Sequence, residues 1–277
     1  MGPGFVIVAV AALLAASAAA APGPEPQAPD WRQVDPENAL VIETTQGRII
    51  LEMSPEAAPL HVAQIKALAR QKLYDGLSFF RVIDGFMDQT GDPTNTGEGG
   101  SGLPNLKAEF TFRRGASTPF VPAAAPMGEV VGMLGSLPVI SLPDPRMASS
   151  ADHQASAWAA YCPGVAGMAR DEDPDSANSQ FFLMRAAYPT LEQRYTAWGR
   201  VLVGLDVVRA VKTGEPPPAP DRMLTVRVLA DVPEPGRPKV FVLDLHGPAF
   251  TRLLAHTRAA RGADFSICDI DLPVMVR

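Results

Sequence analysis

Between Ser78 and Gln89 the chain reads S-F-F-R-V-I-D-G-F-M-D-Q, two short apolar runs joined at Asp84-Gly85, a dipeptide that reverses hairpins. One cation, Arg81, is set among aromatic and branched residues. Successive side chains of a strand face opposite sides, so the alternation predicts Phe79, Arg81 and Ile83 on one face and Phe80 with Val82 on the other. Met87 and Gln89 share a face beyond the turn. One face is then wholly apolar, while the other carries a guanidinium, a thioether and an amide beside hydrophobic groups. That division is the pattern of a strand with its core on one side and a site on the other.

Further elements can be read on either side of this hairpin. From Ala39 to Met53 apolar and polar residues alternate around Thr45-Gln46-Gly47, which predicts a hairpin of Leu40 to Thr44 with Arg48 to Glu52. Ser54 and Pro55 signal a helix start, Pro59 fits a first turn, and Val62, Ile65, Leu68 and Ala69 recur at helical spacing until Arg70 to Lys72. Gly167 to Arg170 reads as a strand end, Ser179 to Met184 and Thr196 to Val203 as strands, and Met223 to Ala230 as a last one. Leu205, Val208 and Val211 lie three apart in a short helix ended by Gly214 and the prolines that follow. In the tail, Val240 to Leu243 reads as a strand and Ala249 to Ala260 as a helix with Phe250, Leu253 and Leu254 inward. A chain of 277 residues with 47% hydrophobic content can bury a sizeable core, as one large or two small domains. Its 23 glycines and 28 prolines stay below the low-complexity range of roughly 25–30%, so they mark turns and long loops in an all-β or α+β plan.

Spacing sets several chemistries aside. Gly97-x-Gly99-x-x-Gly102 formally matches a dinucleotide fingerprint, yet Leu103-Pro104-Asn105 does not continue into the helix which that motif requires. Glycine there permits a tight loop close to a groove. The acidic run from Asp171 to Asp175 lacks the ligand spacing, glycine and closing glutamate of an EF-hand and reads as a solvated loop. His61, His153, His246 and His256 have no metal-ligand spacing, and no Gly-x-Ser-x-Gly elbow occurs. A net charge of −6 without a basic run argues against nucleic acid as a partner. No metal and no cofactor are expected.

The hairpin around Arg81, followed by Gly91-Asp92, the Gly97-Glu98-Gly99-Gly100 loop, Gly167-Met168-Ala169 and Ser179-Gln180-Phe181-Phe182, resembles the cyclophilin family of peptidyl-prolyl isomerases. The likeness spans residues 40 to 230, with the segments in the family's order. It implies a mainly β, cyclophilin-like fold: an eight-stranded antiparallel barrel capped by two helices, here with a long insertion and a C-terminal extension. It also implies rotation of X-Pro bonds in proline-containing polypeptide clients by a monomer. By the same resemblance Arg81 is the catalytic guanidinium, and Gln89 and Gln180 orient it and the peptide. Phe86, Met87, Phe182 and Leu191 form the proline pocket, Gly97 lies in the loop at the groove, and the backbone of Ala169-Arg170 pairs with the substrate strand. The sequence departs from the family at Arg170, where asparagine is usual, at Thr190 or Tyr188, where tryptophan is frequent, and at Tyr195, which replaces a pocket histidine. A non-catalytic peptide-binding module or chaperone on the same scaffold is the competing reading, and retention of Arg81 favours the enzyme.

The flanks carry their own signals. Phe5 to Ala21 holds no charge and ends in four alanines, which predicts an export signal over 1–21, with an uncleaved anchor or a buried helix as the alternatives. The protein is then expected outside the cytoplasm, in a periplasm if the source has two membranes, without stable membrane insertion after cleavage. Proline-rich residues 22–38 read as an extended linker before a domain over 39–230. The stretch 111–163 is far longer than a compact cyclophilin needs between these strands, and it reads either as structural cover or as a lid over the groove. Cys162 and Cys268 are the only cysteines, and an exported chain with two invites a disulfide, the alternative being two buried thiols. If they pair, the extension over 231–277 lies against the insertion.

Overall fold

The computed structural model describes Met1 and residues 30–277, so most of the expected signal and the first part of the expected linker lie outside the described residues. In chain order, β1 (Trp31–Gln33), β2 (Ala39–Thr44), β3 (Gly47–Met53), α1 (Pro59–Arg70), β4 (Arg81–Ile83) and β5 (Met87–Thr90) come first. The insertion contributes β6 (Phe112–Arg114), β7 (Phe120–Ala124), β8 (Val130–Leu134), β9 (Leu137–Ser141), α2 (Asp144–Ser149) and β10 (Ala155–Ala159). Then follow β11 (Val165–Met168), β12 (Phe181–Met184), β13 (Ala197–Val203), α3 (Leu205–Ala210) and β14 (Met223–Val228). The tail adds β15 (Val240–Leu243), α4 (Pro248–Arg261) and β16 (Val274–Val276).

Eight strands form one antiparallel sheet in the order β14-β2-β3-β13-β11-β12-β5-β4. Backbone bonds between the segment before β4 and the entry to β14 join its two ends: Phe79 N–H to Asp221 O at 2.9 Å and Met223 N–H to Leu77 O at 2.9 Å. The sheet is therefore closed into the expected barrel. Leu40, Ile42, Ile49, Leu51, Phe181, Leu183 and Trp198 alternate into its interior, where α1 presents Val62, Ile65 and Leu68 and α3 presents Val208. Phe181 packs edge-on against both Trp198 and Tyr74.

Local signals misplace some edges. The α1 helix begins at Pro59 rather than at Ser54, because the Ser54 carbonyl takes the N–H groups of both Ala57 and Ala58 in a preceding turn. The helix start has no local side-chain cap; Glu109, far along the chain, accepts from the Leu60 and His61 N–H groups and from the His61 ring. Residues 30–38 are not linker: β1 pairs with β15, Trp31 opposite Leu243, and Asp35 caps a short turn at Pro36–Asn38. Strand alternation around Arg81 starts only at that residue. Phe79 turns into the barrel interior with Val82, and Phe80 lies beside Gly97, the reverse of the expected faces, since β4 does not extend back to them.

The insertion folds as a second antiparallel sheet, β6-β10-β9-β8-β7, laid on the outer face of the barrel. Met133, Leu134, Leu137 and Val139 join Val41, Ile50, Val165 and Met184 in one apolar cluster with Val242 and Phe250 of the tail. The buried Arg200 guanidinium bonds the carbonyls of Ser136 and Ile270, tying barrel, insertion and tail together. Cys162 and Cys268 form a disulfide between insertion and extension, as expected of their pairing.

Candidate active site

Strand register brings the site together. Arg81 lies opposite Gln89, Gln89 opposite Phe182, and Phe182 opposite Gly167, a single row across β4, β5, β12 and β11. In such a row side chains point to one face. At Gly167 a Cβ would stand 2.5 Å from the Phe182 ring, so only glycine lets that ring lie flat across the neighbouring strand.

A polar line runs along this row. Arg81 Nη1 donates to Gln89 Oε1 at 3.3 Å, Gln89 Nε2 to Gln180 Oε1 at 3.0 Å, and Gln180 Nε2 to the Gly97 and Gly99 carbonyls at 2.9 and 2.7 Å. Asp92 holds that loop from behind, accepting from the N–H groups of Thr94, Thr96, Gly97 and Gly99 and from the Thr94 hydroxyl. Burial alone would raise the Asp92 carboxyl, but these donors outweigh it and hold the group at about 2. Arg81 keeps 40% of its side-chain surface exposed, and its Nε donates to Glu215 Oε2 at 2.7 Å.

Beside the guanidinium is an apolar wall. Met87, Phe182 and Leu191 are buried in one cluster, with Phe86, Ala169 and Tyr195 packed against it. Phe86, on the turn before β5, stacks at a tilt on Tyr188, centroids 4.4 Å apart. Phe182 meets Tyr195 edge-on at 5.9 Å and Tyr161 roughly parallel at 6.1 Å. The two departures at Arg170 and Tyr195 are one unit: the Arg170 guanidinium lies 4.6 Å over the Tyr195 ring and 5.4 Å from Phe110, while its nitrogens bond the Arg194 carbonyl. The Ala169 N–H is bonded to Gln180 O at 3.0 Å, so that amide is already engaged within the protein.

All the residues expected at the site therefore converge, and the apolar cluster that holds Met87, Phe182 and Leu191 also takes in Met133, Leu137 and Val139 of the insertion. A polar pocket of about 380 Å³ opens between the Gly97–Ser101 loop and Arg170. Two contributors were invisible in the sequence. Glu215 sits in a proline-rich stretch that reads as a helix stop. Tyr161 reads as packing beside a cysteine, with only its aromatic character as a hint. Among the described residues no group of His, Cys, Asp and Glu could hold a metal ion, and no helix is long and apolar enough to cross a membrane.

The family model for cyclophilin type peptidyl-prolyl cis-trans isomerases matches residues 39–228, from β2 through β14. The chain belongs to the cyclophilin family. Cyclophilins bind proline-containing peptides and isomerise X-Pro bonds, and this cyclophilin is a peptidyl-prolyl cis-trans isomerase. It is 34% identical over 213 residues to a probable peptidyl-prolyl cis-trans isomerase of Brucella suis, covering 71% of this chain and 85% of that one. Peptidyl-prolyl cis-trans isomerase-like 1 of Gibberella zeae is 30% identical over 178 residues, covering 63% and 83%. The crystal structure of cyclophilin AquaCyp293 from Hirschia baltica superposes with a TM-score of 0.83 at 37% identity, over 89% of this chain and 93% of that one. That likeness covers more of the chain than the family segment at 39–228.

Proposed function

We propose that Arg81 carries the isomerisation, acting on X-Pro bonds of polypeptides outside the cytoplasm. Resonance gives the peptide C–N bond double-bond character and a barrier of about 18–20 kcal/mol. Twisting the bond localises the lone pair on the prolyl nitrogen, so a donor placed there stabilises the twisted state and not the planar ones. The observation that carries this reading is the placement of a half-exposed guanidinium, held through Gln89 and Gln180, at the edge of the Phe86, Met87, Phe182, Leu191 and Tyr195 wall. Phe86 and Tyr195, the partly exposed members of that wall, receive the proline ring over the buried Met87, Phe182 and Leu191; the Arg170 backbone, with Ala169 contributing its carbonyl, holds the substrate strand. Export is supported by the uncharged stretch from Phe5 to Ala21 and by the disulfide, which persists in oxidising compartments.

A protease-coupled assay on a prolyl peptide tests the role of Arg81. The Arg81→Ala variant should lose about 100-fold in kcat/KM, the scale of removing one donor aimed at a transition state. Peptide binding, followed by NMR titration, should survive the substitution. Unchanged turnover would place the chemistry elsewhere.

A further inference from the structure

Arg81 has a second acceptor that the family motifs do not foretell. Its Nε donates to Glu215 while Nη1 donates to Gln89, so two acceptors on different sides fix the guanidinium plane. Among the described residues Nη2 has no protein acceptor, which leaves its outward N–H, the one facing away from Nε, for a substrate.

The backbone holds Glu215 in place. Gly214 exchanges both backbone bonds with Val82, the residue after Arg81, at 2.8 and 2.9 Å. Its φ of +150° and the 2.5 Å approach that a Cβ would make to Pro217 Cα mark a sharp return of the chain that other residues cannot adopt. Asp221 pins the far end of the loop, accepting from the Thr45 hydroxyl, the Gln46 amide and the Lys212 N–H. The carboxylate is thus delivered to the Nε side of Arg81 by a loop anchored at both ends.

We propose that Glu215 is a positioning residue for isomerisation, setting the plane of Arg81 so that its Nη donors face the prolyl nitrogen. The proposal rests on Arg81 being the catalytic cation. The side chains of the pair are 40% and 53% exposed, and exposed ion pairs contribute little to stability, so orientation is the effect such a contact can have. Glu215 lies along the edge that Nε shares with Nη2, so it orients the group and leaves open the Nη2 N–H that points away from Nε.

The test compares kcat and KM for a prolyl peptide in wild type, Glu215→Ala, Glu215→Gln, Arg81→Ala and the Glu215→Ala/Arg81→Ala double variant, with melting temperatures alongside. Glu215→Ala should lower kcat about three- to tenfold with KM and melting temperature unchanged, as expected for lost alignment. Glu215→Gln, which keeps an acceptor for Nε, should recover most of the rate, and the double variant should be no slower than Arg81→Ala. Wild-type or higher kcat in Glu215→Ala, no recovery in Glu215→Gln, or a further loss in the double variant would overturn the proposal. Equal rates for wild type and Arg81→Ala would instead overturn the assignment of Arg81.

Discussion

Asp92 reaches Arg81 without touching it. Its carboxylate gathers the N–H groups of the Gly97 loop, that loop offers two carbonyls to Gln180, Gln180 holds Gln89, and Gln89 holds the guanidinium. Asp92→Ala should destabilise the fold by about 1–3 kcal/mol, the cost of leaving buried donors unpaired, and should slow isomerisation by freeing Gln180. Chemical denaturation and turnover measure the two effects. Because the Asp92 carboxyl is depressed, its stabilisation is present above the ordinary value of 3.8 and is lost as pH falls toward about 2. Acid unfolding of Asp92→Asn should lack that component. Arg81, Gln89, Gln180 and Phe182 were legible because their segments resemble cyclophilins, with the two-residue repeat of a strand placing Met87 beside Gln89. Glu215 and Tyr161 were not: the Glu215 contact with Arg81 spans 134 positions, and Tyr161 reaches Phe182 from the irregular end of the insertion, so neither leaves a local periodicity.

Loops and strand ends decide what each element contributes. The turn Pro189–Leu191 carries Leu191 into the apolar wall, and Glu192 follows it half-buried against the insertion. Burial pushes the Glu192 carboxyl from 4.5 up to about 7, and the Glu129 charge adds to the rise. A raised carboxyl is protonated in the folded chain where the unfolded chain has already ionised. Its contribution is therefore fully present below pH 4.5 and falls as pH rises toward 7. The difference in melting temperature between Glu192→Gln and wild type should grow over that interval and level off above it; a constant difference would contradict the raised carboxyl. The same scale explains what the sequence left obscure. The hairpins at Ala39 to Met53 and Ser78 to Gln89 show alternation and turn residues together. In the insertion Pro122 interrupts β7, tolerated because it lies at a register shift on an edge strand, so a sheet reads as loop.

As a whole, the molecule is a barrel braced on its outer face by insertion and tail, with the Cys162–Cys268 bond joining the braces across 106 positions. Closing a loop of that length restricts the unfolded chain by about 4–5 kcal/mol on the entropy description. Replacing both cysteines with serine should lower the melting temperature on the order of 10 °C. Because Tyr161 precedes Cys162 and faces Phe182, the same change should raise KM for peptide. The barrel and its row of site residues were open to reading from β2 to β14, whereas the pairing of β1 with β15 depends on residues at opposite ends of the chain. On the function proposed for Arg81, one guanidinium lowers the barrier to rotation of the X-Pro bond. NMR exchange between the cis and trans forms of a prolyl peptide, at matched occupancy of wild type and Arg81→Ala, addresses it most directly. Fast exchange on the wild type and a fall of about 100-fold on the variant is the expected result, and equal exchange on both would contradict it.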